Sequence, residues 1–79
     1  LVIEILSPST ASEDKGRKKD NYEIHGVWEY WLVEPRNKSV EVYALKDDRY
    51  RLVAYLEAAG IVKSGVLEGF ELEISQIFE

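Results

Sequence analysis

The sequence contains no cysteine and a single histidine among its 79 residues. Disulfide frameworks, thiolate metal sites, cysteine nucleophiles and sites built on paired imidazoles are thereby excluded. Carboxylates, lysine, tyrosine and serine remain as the polar groups able to do chemistry. No apolar run approaches the roughly 20 residues that a membrane-spanning helix needs. The basic-then-apolar order of a signal peptide is missing as well, so a soluble, cytoplasmic protein with no membrane partner is expected. Methionine is also absent, and the chain opens directly on Leu1-Val2-Ile3-Glu4-Ile5-Leu6 with no turn or cap before it. That opening reads as a piece of a larger domain.

What is present argues for a folded core. Hydrophobic residues make up 46% of the chain and include two Trp, five Tyr and two Phe, a content that disordered segments lack. A chain this short buries only about 60% of its unfolded surface, which leaves room for one core and no second domain. The net charge of −5 disfavours indiscriminate nucleic-acid binding, which rests on counterion release by Lys and Arg. Lys15, Arg17, Lys18 and Lys19 nevertheless place four of the ten basic residues within positions 15–19, either to meet phosphates or as a solvated face.

Residues 1–6 read as a buried central strand with neighbours on both sides, some of them expected outside this piece, closed by Ser7-Pro8. Thr10 and Glu13 have capping-box spacing and open a helix that Gly26 stops. Residues 28–33 read as a second buried strand ending at Glu34-Pro35. Residues 40–45 and 50–56 flank a turn at 46–49 and predict a hairpin, the alternation in 40–45 suiting an edge. Gly60, Gly65 and Gly69 punctuate a meander, 70–74 form a short strand, and Ser75 caps a terminal turn. The predicted order is β-α-β-β-β-β-α, an α/β mixed sheet with a packed helix.

Two features of this pattern are anomalous. An ionised Glu4 between Ile3 and Ile5 costs several kcal/mol if it is buried and unpaired. Either it emerges at the sheet edge or something compensates it. The helix, for its part, has almost no apolar stripe: at spacings of three and four it lines up Ala11, Asp14, Lys18, Tyr22 and His25. If Tyr22 anchors the helix, Lys18 points at the face carrying Val2, Glu4 and Leu6. The alternative is a solvated Asp14 to Lys18 pair. His25 suits the helix C-terminus, Tyr30 and Trp31 suit a core, and Ser7, Ser9 and Thr10 read as caps and turn residues.

Residues 1–10, then Asp14, Gly16, Lys18 and Tyr22, then Gly26-Val27 and Glu29-Tyr30-Trp31-Leu32-Val33, resemble the Uma-type family of restriction endonuclease-like proteins. These are prokaryotic members of the PD-(D/E)XK nuclease superfamily, long classed as a domain of unknown function. The resemblance continues through the hairpin to Gly69-Phe70-Glu71-Leu72 and implies a restriction-endonuclease-like fold whose N-terminal part is missing, residues 1–79 being its C-terminal portion. It also implies a metal-dependent endonuclease hydrolysing DNA phosphodiester bonds. Glu4 would be a catalytic residue and a ligand of Mg²⁺, with Mn²⁺ as the other candidate ion. Lys18, moved from the usual strand onto the helix, would be the second catalytic residue. Asp14 and Tyr22 match further positions as positioning groups. The family's second metal-binding aspartate would precede Leu1, Leu6 stands where the superfamily's lysine usually lies, and Trp28 replaces a common proline. The competing expectation is a non-catalytic binding or assembly module that keeps the fold. Unpaired sheet edges further suggest a homodimer.

Overall fold

The computed structural model describes residues 1–6 and 11–78, with side chains placed for 1–6 and 17–78. The elements in chain order are β1 (Val2–Ile5), α1 (Ala11–Ile24), β2 (Glu29–Glu34), β3 (Ser39–Lys46), β4 (Arg49–Glu57), β5 (Ile61–Lys63), β6 (Glu71–Glu73) and α2 (Ile74–Ile77). The first four strands form one sheet in the order β1-β2-β3-β4. β1 and β2 run parallel, joined by α1 as a parallel pair requires, and the remaining pairs are antiparallel. The whole is an α/β arrangement with a mixed sheet. None of the described helices is long and apolar enough to cross a membrane.

β2 is the central strand, buried from Glu29 to Val33. Its side chains alternate between two cores. On one face, Trp31 and Val33 pack with Val40, Val42, Val62 and Ile74. On the other, Tyr30 and Leu32 pack with Leu6 and Tyr43, and Val2, Tyr22 and Tyr50 close that cluster from the sides. Tyr30 and Trp31 thus fill cores, as their size suggests. α1 ends at Gly26, whose φ of 74° is left-handed. The Val27 N–H donates to the Tyr22 carbonyl at 3.0 Å and the Gly26 N–H to that of Glu23 at 3.2 Å, the pair of bonds of a Schellman cap.

The strand order corrects one expectation. β1 lies at one end of the four-stranded sheet, with Ile3 and Ile5 exposed by 38% and 67%, and the neighbour expected on its other side is not among the described residues. An apolar run reports what covers a strand's faces rather than what pairs with its edges, and here Val2 and Leu6 earn their burial under α1. β3, expected at an edge, lies inside between β2 and β4. Glu41 gives it a half-solvated look, but that carboxylate accepts the Tyr43 hydroxyl. β4 lies at the other end of the sheet, where a register shift opposite Val42 and Tyr43 skips Val53 and leaves it without a facing residue.

Three smaller differences follow from local geometry. β5, inside the glycine meander, pairs antiparallel with β6, and three residues are too few to show alternation. Ser75 is not a cap: it sits within α2, and its hydroxyl donates to Glu73 Oε1 at 3.1 Å. Trp28 precedes β2 and is 72% exposed. The proposed capping box and the Ser7, Ser9 and Thr10 turn lie outside the described residues or side chains.

The glycine meander is tied to the sheet by a buried acid. Glu29 accepts the Ser64 hydroxyl on Oε1 at 2.5 Å and the Gly65 N–H on Oε2 at 2.6 Å. Ser64 Oγ in turn accepts the Leu67 N–H at 2.9 Å, so one carboxylate organises a whole turn. Hydrogen bonds to a charged group contribute about 1.5–3 kcal/mol each. Glu29→Ala is therefore expected to lower the unfolding free energy by about 3 kcal/mol in urea titration. Glu29→Gln should cost less, because the Ser64 hydroxyl can turn to accept. Equal midpoints for all three proteins would show that the anchor carries no stability.

Candidate active site

α1 faces the sheet with polar side chains, and what holds it there is a set of hydrogen bonds and ring contacts. Lys18 and Tyr22 stand one turn apart on the same side of the helix. Beneath them, alternation in β1 turns Val2, Glu4 and Leu6 toward the helix. The Tyr22 hydroxyl donates to Glu4 Oε1 at 2.5 Å, and Lys18 Nζ lies 3.5 Å from Glu4 Oε2. The Glu4 side chain is 20% exposed and that of Lys18 48%, so the carboxylate is largely withdrawn while the ammonium reaches solvent. The anomalous acid of the first strand is thus compensated by the neighbouring helix.

A group of four tyrosines fixes this geometry. Tyr30 lies at the centre, with ring centroids 5.5 Å from Tyr22, 6.1 Å from Tyr43 and 5.9 Å from Tyr50. Lys19 Nζ sits 4.1 Å above the Tyr43 ring, a cation–π contact. Glu23 accepts the Tyr50 backbone N–H at 2.6 Å and lies 3.6 Å from Arg49 Nε. The Tyr50 hydroxyl donates to the Val27 carbonyl at 2.7 Å, pinning the chain just past the helix. Glu4 therefore meets Lys18 and Tyr22 on a helix clamped along its length.

Of the residues singled out in the sequence, Glu4, Lys18 and Tyr22 come together. The Asp14 side chain lies outside the described ones. His25 does not join the site: it is exposed, with Nδ1 2.8 Å from the Asn21 carbonyl oxygen near the helix end. Lys19 and Glu23 turn inward without having been singled out for it, because their partners Tyr43 and Tyr50 lie on strands whose placement spacing in the helix does not reveal.

With this geometry in view, comparison with known proteins is informative. The sequence profile of the Uma2 family, described as "Putative restriction endonuclease", matches residues 1–75. The chain belongs to this family. A solved structure with a similar fold is that of a protein from Anabaena variabilis described as "a putative nuclease belonging to DUF820". It is similar over 96% of the present chain at 25% identity and a TM-score of 0.71. The present chain spans 41% of that protein's length. No curated protein matches.

For a Uma2 chain the metal-binding chemistry of this spot can be examined directly. Among the described residues no three acidic, histidine or cysteine side chains converge on one point. Magnesium is usually held through one or two carboxylates, with waters and substrate phosphate completing its oxygen shell. Glu4 fits one such ligand, since each carboxylate oxygen can accept more than the single contact made to Tyr22 or Lys18.

The tyrosines also set a pH dependence. Tyr22 is shifted up from 10.0, first by its hydrogen bond to Glu4 and then by burial. Burial is the leading cause for Tyr30, Tyr43 and Tyr50, reinforced by the charges of Glu4, Glu41 and Glu23 respectively. A proton held more tightly in the folded state stabilises it below the unfolded pKa of about 10, and that stability is lost as pH rises beyond it. Alkaline titration should therefore show tyrosinate absorbance from these four appearing together with loss of the sheet's circular dichroism. Full tyrosine ionisation near pH 10 with the sheet intact would contradict the arrangement.

Proposed function

We propose that the parent protein is a metal-dependent endonuclease that hydrolyses DNA phosphodiester bonds, and that Glu4 and Lys18 are its catalytic residues within this segment. The observation that carries the reading is the contact between a strand-borne carboxylate and a helix-borne ammonium, 3.5 Å apart and open to solvent on the lysine side. Membership of the restriction endonuclease-like family supports the reaction class.

Each residue has a role in the hydrolysis, in which water adds to phosphorus and a P–O bond breaks. Glu4 would hold one face of a divalent ion, with an upstream carboxylate of the parent as the expected second ligand. Bound there, Mg²⁺ or Mn²⁺ would lower the pKa of water and stabilise charge on the phosphate. The Lys18 ammonium is placed to hydrogen-bond the attacking water or a phosphate oxygen and to offset developing negative charge. Tyr22 is a positioning residue: its hydroxyl fixes the Glu4 rotamer. Asp14 remains a candidate positioning group on the same helix.

A second reading, a binding or assembly module without catalysis, is favoured by the contact itself, since Tyr22 and Lys18 each engage one Glu4 oxygen and give the acid a structural role. The two readings diverge in the parent protein. Glu4→Gln and Lys18→Ala should each reduce Mg²⁺-dependent cleavage of plasmid DNA at least about a hundredfold, a typical loss for an electrostatic or acid–base group, while leaving the fold intact. Wild type should also melt higher as Mg²⁺ is raised to millimolar levels, and Glu4→Gln should not. Undiminished cleavage by both variants removes the catalytic assignment. A melting temperature indifferent to Mg²⁺ in wild type, without cleavage, supports the module.

A further inference from the structure

α1 presents two neighbouring pairs of side chains to the sheet, and only one of them touches the proposed reacting groups. Lys18 and Tyr22, one turn apart, reach Glu4 on β1. Lys19 and Glu23, also one turn apart, reach the other way: Lys19 lies over the Tyr43 ring of β3, and Glu23 holds the Tyr50 N–H and faces Arg49 on β4. Between the two pairs lies Tyr30 of β2, fully buried, its ring against those of Tyr22, Tyr43 and Tyr50. The helix straddles the central strand on two lines of polar contact. The ring beneath Lys19 is itself held, since the Tyr43 hydroxyl donates to Glu41 on the same strand.

We propose that the Lys19–Glu23 pair sets the rotation of α1 about its own axis, and that Lys19 is thereby a positioning residue for the Lys18–Glu4 contact. The inference rests on the nuclease reading above and adds the residues that hold its geometry. In an amphipathic helix the rotation is fixed by an apolar stripe packed into the core. α1 lacks that device: between Arg17 and Ile24 only Tyr22 and Ile24 are apolar, and Ile24 is 79% exposed. Rotation is left to the polar contacts. Lys18 and Tyr22 lie along one line of the helix surface and would act as a hinge by themselves, whereas a second line of contact beside the first removes the remaining freedom. With side chains, a helix has a radius of about 5–6 Å, so a roll of about 20° moves a group on its surface by about 2 Å. Lys18 Nζ is already 3.5 Å from Glu4 Oε2, and such a roll carries it out of hydrogen-bond range. Lys19 is half-buried with its ammonium on a tyrosine face, while Lys18 beside it is exposed, so the two adjacent lysines have separate tasks.

The test uses the full-length parent with Lys19→Met, which keeps an aliphatic stem and removes the charge over the ring, and Lys19→Arg, which keeps a cation there. The first readout is the coupling between Glu4 and Tyr22 in urea unfolding, from a Glu4→Gln and Tyr22→Phe cycle in each background. It should shrink in Lys19→Met and hold its wild-type value in Lys19→Arg. A lysine that only adds stability of its own would lower every midpoint alike and leave the coupling as it was. The second readout is Mg²⁺-dependent cleavage of plasmid DNA: kcat should fall about tenfold in Lys19→Met with KM unchanged, and recover in Lys19→Arg. An unchanged coupling in Lys19→Met overturns the proposal. So does an unchanged kcat, or a raised KM in its place, which would put Lys19 on the DNA itself. A wild-type parent that cleaves no DNA brings down the nuclease reading alone, and the coupling then decides the rotation by itself.

Discussion

The structure depends on how one carboxylate is kept among aliphatic neighbours. Glu4 sits on a strand whose other inward residues are Val2 and Leu6, under a helix with almost nothing apolar to offer in return. An unpaired charge there would cost several kcal/mol, a large part of what a small domain has in total. Tyr22 and Lys18 resolve that cost and dock the helix in the same act. The contact also joins the edge of the docked helix to the candidate chemistry, since the residues that compensate Glu4 are the ones placed to act with it.

The contact works because the rest of the helix interface is rigid. Tyr30 at the centre of the tyrosine cluster is fully buried, and its ring contacts link α1 to β3 and β4 through Tyr22, Tyr43 and Tyr50. Lys19 over Tyr43 and Glu23 on the Tyr50 amide then hold the helix by its charged residues. A helix held in this way keeps its polar groups at fixed positions over the sheet, which suits a site whose parts come from two elements. On the opposite face the logic is ordinary apolar packing, with Glu29 adding a buried anchor for the glycine meander.

Much of this was legible in the residues, and the parts that were not have physical reasons. Alternation in the first strand and one-turn spacing in the helix suffice to bring Glu4, Lys18 and Tyr22 to one place, and Gly26 marks the helix end through its left-handed φ. Strand order was harder. Glu41 made β3 look half-solvated, but that pattern reports on a face of the sheet and not on which strands pair along the edges of β3. The first strand's aliphatic run gave its two faces but not the helix residues that cover Val2 and Leu6. Glu29 gave no hint of its role, because its partners lie 35 and 36 residues away in a segment without periodicity. Lys19 and Glu23 read as solvated charges until the tyrosines of β3 and β4 are placed beside them.

The central claim is energetic and can be measured in this chain without reference to any activity. A double-mutant cycle of Glu4→Gln and Tyr22→Phe, followed by urea unfolding, isolates the coupling between the strand carboxylate and the helix hydroxyl. A hydrogen bond to a charged, mostly withdrawn group predicts a coupling of about 1 kcal/mol or more. Strictly additive single mutants would mean that the two groups do not depend on each other in solution, and docking of the helix would then rest on its ring contacts and on Lys19 and Glu23.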